Sequence, residues 1–347
     1  MQPLSTSEFN QLTQLKAESI QVKKLFGEAS YREYYRLTTH DGQTYILMQI
    51  PTGKWSVSEE ITHSNTPPTE LPFLNIQRFL QKNELPVPQV LGVDQTKGWI
   101  VLQDLGEQSL ESLIKNAAPE MIFFFYKQAI DLLVRLQKTT ATPNADCQAF
   151  SRHFDFKLLF WEFEHFLEYG IEDRLQIKIN PEDRKAMQTW GEKLCHEIEA
   201  MPYGFTHRDF QSRNLMLHGY EFYLIDFQDA LQGPTVYDLV ALLRDSYVDL
   251  APAMLEQLLQ TYQSARKRAE LPVLEEKLFE RNFYLVTLQR KLKDAGRFQF
   301  IKTMKGNDKF LKHVPTSLKY VKDAFSHLPE YQPLGKLIEK YLSELKT

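Results

Sequence analysis

Cysteine is scarce in this chain of 347 residues: there are two, Cys147 and Cys195, far apart and without a CxxC pair. That excludes a disulfide framework and a zinc ribbon, and it fits a reducing compartment. A basic excess is also missing. With 41 Lys and Arg against 45 Asp and Glu, the net charge is −4, which argues against a dedicated nucleic-acid binder. No apolar run reaches membrane-spanning length, since the longest candidate, "MIFFFY" at 121–126, is far too short. The opening stretch "MQPLSTSEFNQLTQLKAESIQ" has neither a basic start nor an apolar signal core. These absences together lead us to expect a soluble cytoplasmic protein that touches neither nucleic acid nor membrane.

What is present suits a folded enzyme-sized chain. Hydrophobic residues make up 43% and charged residues 25%, enough for a sizeable core. Phe9, Leu12, Leu15 and Ile20 suit an amphipathic first helix. "SYREYYRLTTHDGQTYILMQIP" reads as two strands joined at Asp41-Gly42, a strong hairpin signal. The polar stretch from Thr52 to Pro72 reads as a loop. "FLNIQRFLQKN" follows as a helix, and "VPQVLGVD" and "GWIVLQDL" as two more strands.

Beyond about Glu107 helical spacing dominates. Pro119 fits a first helical turn, and further helices are expected at about 154–169, 182–200, 235–249, 252–269 and 274–295, with a last one from Leu334. The division is therefore α+β: an N-terminal lobe at 1–103 rich in strands, and a larger helical lobe at 104–347. A ligand between such lobes is the expectation.

One stretch interrupts the helices: "GFTHRDFQSRNLMLHGYEFYLIDFQD", residues 204–229. "LML" and "FYLI" pair across a turn at "HGYE", so Asn214 and Asp226 meet at the open end of a hairpin. Asp209 lies five residues before Asn214. Magnesium takes one or two carboxylates and completes its shell with water and phosphate oxygens, so an Asn and an Asp beside a third acidic group fit it. The spacing matches a phosphoryl-transfer site in which a loop Asp faces the attacking hydroxyl and an Asn and a downstream Asp hold the metal.

"HRDFQSRNLM", "YLIDFQDALQGPTVYDLVALLRD", "GEASYREYYRL", "LPVPQVLGVD", "IVLQDLG" and "LQRKLKDAGRF" together resemble the aminoglycoside phosphotransferase/choline kinase superfamily. Within it the chain is similar to the bacterial anomeric sugar kinases of N-acetylmuramate and N-acetylglucosamine, which serve cell-wall recycling. The resemblance implies a bilobal protein-kinase-like fold, ATP and Mg2+ as cofactors, and a sugar or other small alcohol as acceptor. It implies Asp209 as catalytic base, Asn214 and Asp226 as metal ligands, and His207 packed behind the metal Asp. It places the backbone of Gln103 and Leu105 at the adenine edge. Asp238 would brace the catalytic loop; as a residue alone it reads equally well as a helix N-cap.

Two departures from the family pattern stand out. Met48 occupies the strand position where most kinases carry a phosphate-gripping lysine, and the loop at Gly27 has one glycine only. Ser30, Arg32 or Arg36, and more weakly Lys54, are the candidates to replace those contacts, because an arginine fork meets phosphate oxygens at two points. Asp229, Arg244 and Asp245 are candidates for the acceptor pocket, and Arg290 for an acceptor carboxylate. "QRKLKDAGRF" otherwise reads as a solvated helix face. Its basic character disfavours a polycationic aminoglycoside. Choline-like alcohols and a nucleotide-binding pseudokinase remain as alternatives. Oligomeric state is not read from the sequence.

Overall fold

The structure, a computed structural model, describes residues 4–25, 32–50 and 70–345. It has the two-lobed architecture expected. Helix α1 (Thr6–Thr13) begins at a capping box: Ser5 accepts from the Glu8 N–H, and Glu8 Oε2 accepts from the Ser5 N–H at 2.9 Å. The expected longer helix does not form. Gln14 turns left-handed with φ of 60°, and Ile20 starts a strand instead.

Five antiparallel strands follow: β1 (Ile20–Leu25), β2 (Glu33–Thr39), β3 (Thr44–Gln49), β4 (Val90–Asp94) and β5 (Trp99–Gln103), in the order β1-β2-β3-β5-β4. Gly42, at φ of 82°, makes the β2–β3 turn, a backbone angle that glycine adopts without a Cβ penalty. Helix α2 (Pro72–Lys82) packs beside the sheet.

The period of two in a strand divides this sheet into two faces. Leu37, Leu47 and Val101 are buried on the back with Phe9 of α1. The register aligns Tyr34, Met48 and Ile100 in one row and Arg36, Ile46 and Leu102 in the next, on the opposite face. That face roofs the space between the lobes. Met48 is fully buried within the main core.

The larger lobe begins with α3 (Leu110–Ile114) and α4 (Pro119–Thr139). Next come α5 (Phe156–His165), which widens into a π-helical stretch to Asp173, and α6 (Pro181–Glu199). Asp155 and Asn180 cap α5 and α6, accepting from the N–H groups of Leu158 and Glu182 at 2.8 and 2.9 Å. Four short strands then form two pairs: β6 (Tyr203–Thr206) with β9 (Leu231–Pro234), and β7 (Leu215–His218) with β8 (Glu221–Leu224). Helices α7 (Tyr237–Leu243), α8 (Pro252–Arg268), α9 (Glu276–Lys305), α10 (Val314–His327) and α11 (Gln332–Glu339) complete the fold.

Helix α9 runs 30 residues, about ten beyond the expected end, and is buried almost continuously from Asn282 to Gly296. It crosses α5 at very close range. A Cβ on Gly296 would lie 2.8 Å from the Phe166 Cα, so only glycine fits there. Among the described residues no helix is long and apolar enough to cross a membrane.

Candidate active site

A cavity of about 790 Å³ lies between the lobes. Its floor is the loop between β6 and β7, and the way that loop is held explains its shape. Asp238 sits in the first turn of α7, yet its carboxylate turns to the loop and accepts the N–H groups of His207 (2.7 Å) and Arg208 (2.9 Å). The α7 N-cap is Val236, so the brace, not the cap, describes this side chain. Burial raises the Asp238 pKa to about 7, against the pull of those two N–H donors.

Asp245 does the same for the far end of the loop, accepting the Ser212 N–H at 2.9 Å and hydroxyl at 2.6 Å. It therefore braces the loop rather than the acceptor. Between these two anchors Arg208 adopts a φ of 80°, a conformation that costs about 1–3 kcal/mol in a non-glycine residue and persists only where surroundings enforce it.

Asp209 follows at once and faces the cavity. Withdrawal from solvent alone would push its pKa up, but positive charge on Arg290, Lys293 and Arg208 outweighs this and holds it below the usual carboxylate range. The carboxylate is therefore ionised at neutral pH. Asn214 closes the loop by donating its side-chain N–H to the Asp209 carbonyl at 2.9 Å, which leaves its own oxygen for other work.

The β7–β8 register pairs Leu215 with Leu224, and the Ile225 N–H reaches the Asn214 carbonyl at 3.1 Å. Asp226 is next in the chain, at φ of 62°, and its half-exposed carboxylate lines the same cavity. Desolvation raises its pKa, with the negative charge of Asp209 adding to it and Arg32 opposing. A cation is thus favoured beside it.

Among the described residues no three His, Cys, Asp or Glu side chains cluster into a cage for a metal. The oxygen donors of Asn214 and Asp226 instead suit a hard divalent ion that takes the rest of its shell from water and phosphate. His207 is 1% exposed, edge-on to Phe210 at 5.9 Å, and burial depresses its pKa to about 4, so it is a neutral packing group.

The other sequence candidates divide sharply. Gln103 and Leu105 also line the cavity, and the Gln103 amide approaches His218 Nε2 at 3.4 Å. Arg32 reaches across from the N-terminal lobe to Asp226 Oδ1 at 3.4 Å. Arg36 also lines the cavity, but its donors are engaged there: its Nε donates to Asp104 at 2.7 Å, its Nη1 to Glu107, and its Nη2 to the Gly106 carbonyl at 3.2 Å. Two carboxylates of the connecting segment claim this guanidinium, so it ties strand to hinge. Ser30 and Lys54 lie outside the described residues.

Asp229 lines the cavity beside Asp226, bonded to Gln228 at 3.0 Å. Arg244 does not join them. It follows α7 and turns toward α10, pairing with Asp323 and lying 4.9 Å from the Tyr320 ring. Arg290 sits under Asp209 with no exposed surface.

The reading of "QRKLKDAGRF" as a solvated face is corrected by the structure. Arg290, Lys291, Lys293 and Asp294 are all buried, and Arg290, Lys293, Asp294, Arg297 and Phe298 line the cavity. Their spacing of three, one, three and one is that of a single helical face, a signal present in the sequence but masked by the assumption that charge means solvent. Arg213 was also missed. It holds Glu111 with two bonds, at 2.7 and 3.1 Å, and stacks 3.6 Å from the Tyr247 ring at the same end.

This chain matches the phosphotransferase enzyme family over residues 21–273 and belongs to it. It is an enzyme that transfers phosphate to a hydroxyl acceptor. Among curated proteins it is 31% identical to the N-acetylmuramate/N-acetylglucosamine kinase of Neisseria meningitidis serogroup B, covering 92% of this chain and 91% of that protein. The kinase of the same name from Pseudomonas putida is 29% identical over 90% of this chain and 85% of the other. Among solved structures, amicoumacin kinase in complex with AMP-PNP, Ca2+ and Ami aligns with a TM-score of 0.57, 15% identity and coverage of 89% of this chain and 91% of that one. Choline kinase from Cryptosporidium parvum gives 0.57, 11% identity and 91% of each chain. These two likenesses establish the protein-kinase-like fold.

Proposed function

We propose that this enzyme is an ATP- and magnesium-dependent kinase that phosphorylates the anomeric hydroxyl of N-acetylmuramate and N-acetylglucosamine, with a role in cell-wall recycling in the bacterial cytoplasm. The observation that carries the reading is the meeting of Asp209, Asn214 and Asp226 on one cavity floor, in a chain similar over nine-tenths of its length to kinases of that name.

Asp209 orients the sugar hydroxyl and takes its proton. The hydroxyl oxygen bonds to the γ-phosphorus as the bond to the bridging oxygen breaks, and the electron pair leaves with ADP. Asn214 and Asp226 hold magnesium, which neutralises phosphate charge. Gln103 and Leu105 offer backbone groups to the adenine. Arg32 does the work of the lysine that Met48 replaces: it lies on the cavity face of the sheet beyond Tyr34, and its fork points at the metal-site Asp226. Positioning and fixed charge account for most of the acceleration.

The acceptor end carries Lys293 and Arg297 with Tyr247 and Phe298, while Arg213 there is engaged by Glu111. Cations beside aromatic faces suit a sugar with a carboxylate substituent, such as the lactyl group of N-acetylmuramate, and they oppose a polycationic aminoglycoside.

The test is ATP consumption across a panel of amino sugars, choline and aminoglycosides, with phosphorus NMR of the product. An anomeric phosphate from N-acetylmuramate or N-acetylglucosamine is expected. Turnover confined to choline or an aminoglycoside would overturn the acceptor assignment, and no turnover with any acceptor would overturn the catalytic one.

A further inference from the structure

Arg290 is the largest fully buried side chain in the molecule's described part, and it is charged. Withdrawing a guanidinium from water is strongly unfavourable unless its partners are well placed. Its partners are specific. Nη1 donates to the Arg208 carbonyl at 2.8 Å, Nη2 meets Asp209 Oδ1 at 3.2 Å, and the guanidinium stands 4.9 Å from the Tyr237 ring centroid. Both hydrogen-bond partners belong to the two residues at the centre of the loop, and one of them is the candidate base.

The Arg208 contact explains how the left-handed backbone survives. Its N–H is held by Asp238 at 2.9 Å and its carbonyl by Arg290 at 2.8 Å, so the residue with φ of 80° is clamped from both sides. The second fork of Arg290 then fixes the carboxylate that comes next. A carboxyl group on one methylene swings about its terminal torsion; a charge-assisted bond to Oδ1 sets the plane and leaves Oδ2 to the cavity.

The helix that delivers Arg290 is itself anchored. Lys291 Nζ, paired with Asp294 one turn along the same helix, reaches Ser246 at 3.0 Å, and Gly296 locks against Phe166. Arg290, Lys291 and Gly296 themselves lie on α9, beyond residues 21–273 that match the family pattern.

We propose that Arg290 is a positioning residue for phosphoryl transfer: it clamps the strained Arg208 peptide and presents a single oxygen of Asp209 to the acceptor hydroxyl. It is not a substrate contact. An arginine is required because one planar fork serves two acceptors at once, which a lysine ammonium cannot do in the same geometry. The inference rests on Asp209 acting as the base.

The experiment compares Arg290→Met and Arg290→Lys with the parent enzyme. Turnover is measured with ATP and N-acetylglucosamine, ATP affinity by calorimetric titration, and folding by thermal melting. A base displaced by about 1 Å loses rate on the order of 10²-fold. That loss in kcat is expected for Arg290→Met, and at least a tenfold loss for Arg290→Lys, with ATP affinity and the acceptor KM within about threefold of the parent. For Arg290→Ala, added guanidinium at sub-denaturing concentration should restore part of kcat in a saturable manner.

Parental kcat in Arg290→Met overturns the inference, as does an acceptor KM that rises while kcat holds, because that pattern marks a substrate contact. If Arg290→Met does not fold, Arg290→Lys is judged by the same criteria; failure of both to fold would make Arg290 a stability residue and overturn the assignment. Asp209→Asn serves as control. Full activity in that variant sinks the underlying reading, whereas active Arg290 variants beside an inactive Asp209→Asn sink only this inference.

Discussion

On the helical side of the cavity, the backbone of the loop and one oxygen of Asp209 are tied down by surrounding side chains. Asp238 holds His207 and Arg208, Asp245 holds Ser212, Arg290 holds Arg208 and Asp209, and Asn214 returns to the Asp209 carbonyl. The sheet side is built differently. Its cavity face offers Tyr34, Ile46 and Leu102, one cation tied to the hinge in Arg36, and one reaching Asp226 in Arg32. On the proposed reading, the helical wall holds the reacting groups in fixed geometry, while the sheet wall is the side left for a nucleotide base. Preorganisation is concentrated where charge moves in the reaction.

Several changes would break or sharpen that contrast. The largest effect is expected for Asp209→Asn, which should lower kcat by about 10²–10⁴-fold while ATP binding persists; near-parental turnover would end the base assignment. His207 probes the rigidity of the same wall. In the unfolded chain its imidazole binds a proton near 6.5, in the folded protein only near about 4. The unfolded state therefore binds more protons between those values, and stability falls as pH drops through that window. The shift corresponds to ~3 kcal/mol at most. His207→Phe should flatten the fall in urea-unfolding free energy between pH 6.5 and 4, and an unchanged slope would show that the ring titrates freely.

On the sheet side, Arg32→Ala should weaken ATP binding by roughly 10–100-fold, the range for a charged hydrogen bond. Unaltered affinity would leave the lysine's role without a holder. At the acceptor end, Arg297→Ala should raise the KM for N-acetylmuramate by about tenfold relative to N-acetylglucosamine. Equal changes for both sugars would remove the carboxylate from the argument.

The parts of this arrangement legible in the sequence are those set by short spacings. Asp209, Asn214 and Asp226 converge because a four-residue hairpin folds back on itself, and a hairpin announces itself by its pattern. The hinge strand and the Asp41-Gly42 turn were visible for the same reason. Arg290 was visible as a charge but not as a partner of Asp209, since 81 residues separate them and nothing local specifies that meeting. The run around it was read as solvated because periodicity arguments equate polar with outside. That equation fails where a helix lines a polar cavity on one face and a hydrophobic core on the others. Arg36 and Arg244 illustrate the converse. Arg36 lies on a strand facing the cavity and Arg244 closely follows the 204–229 stretch, yet a carboxylate, Asp104 or Asp323, claims each.

Helix α9 is one unbroken rod, and it passes beneath Asp209 before running along the stretch of cavity proposed for the acceptor. Gly296 pins it between those two stations. A tilt that enlarged the acceptor end would pull Arg290 off Asp209 and forfeit rate. On the proposed reading, a change of acceptor is expected to come through side-chain exchange downstream of the pin, at Arg297, Phe298 and Ile301, and not through movement of the helix as a body. An enzyme built this way diversifies its substrates by editing letters and not by reshaping its frame.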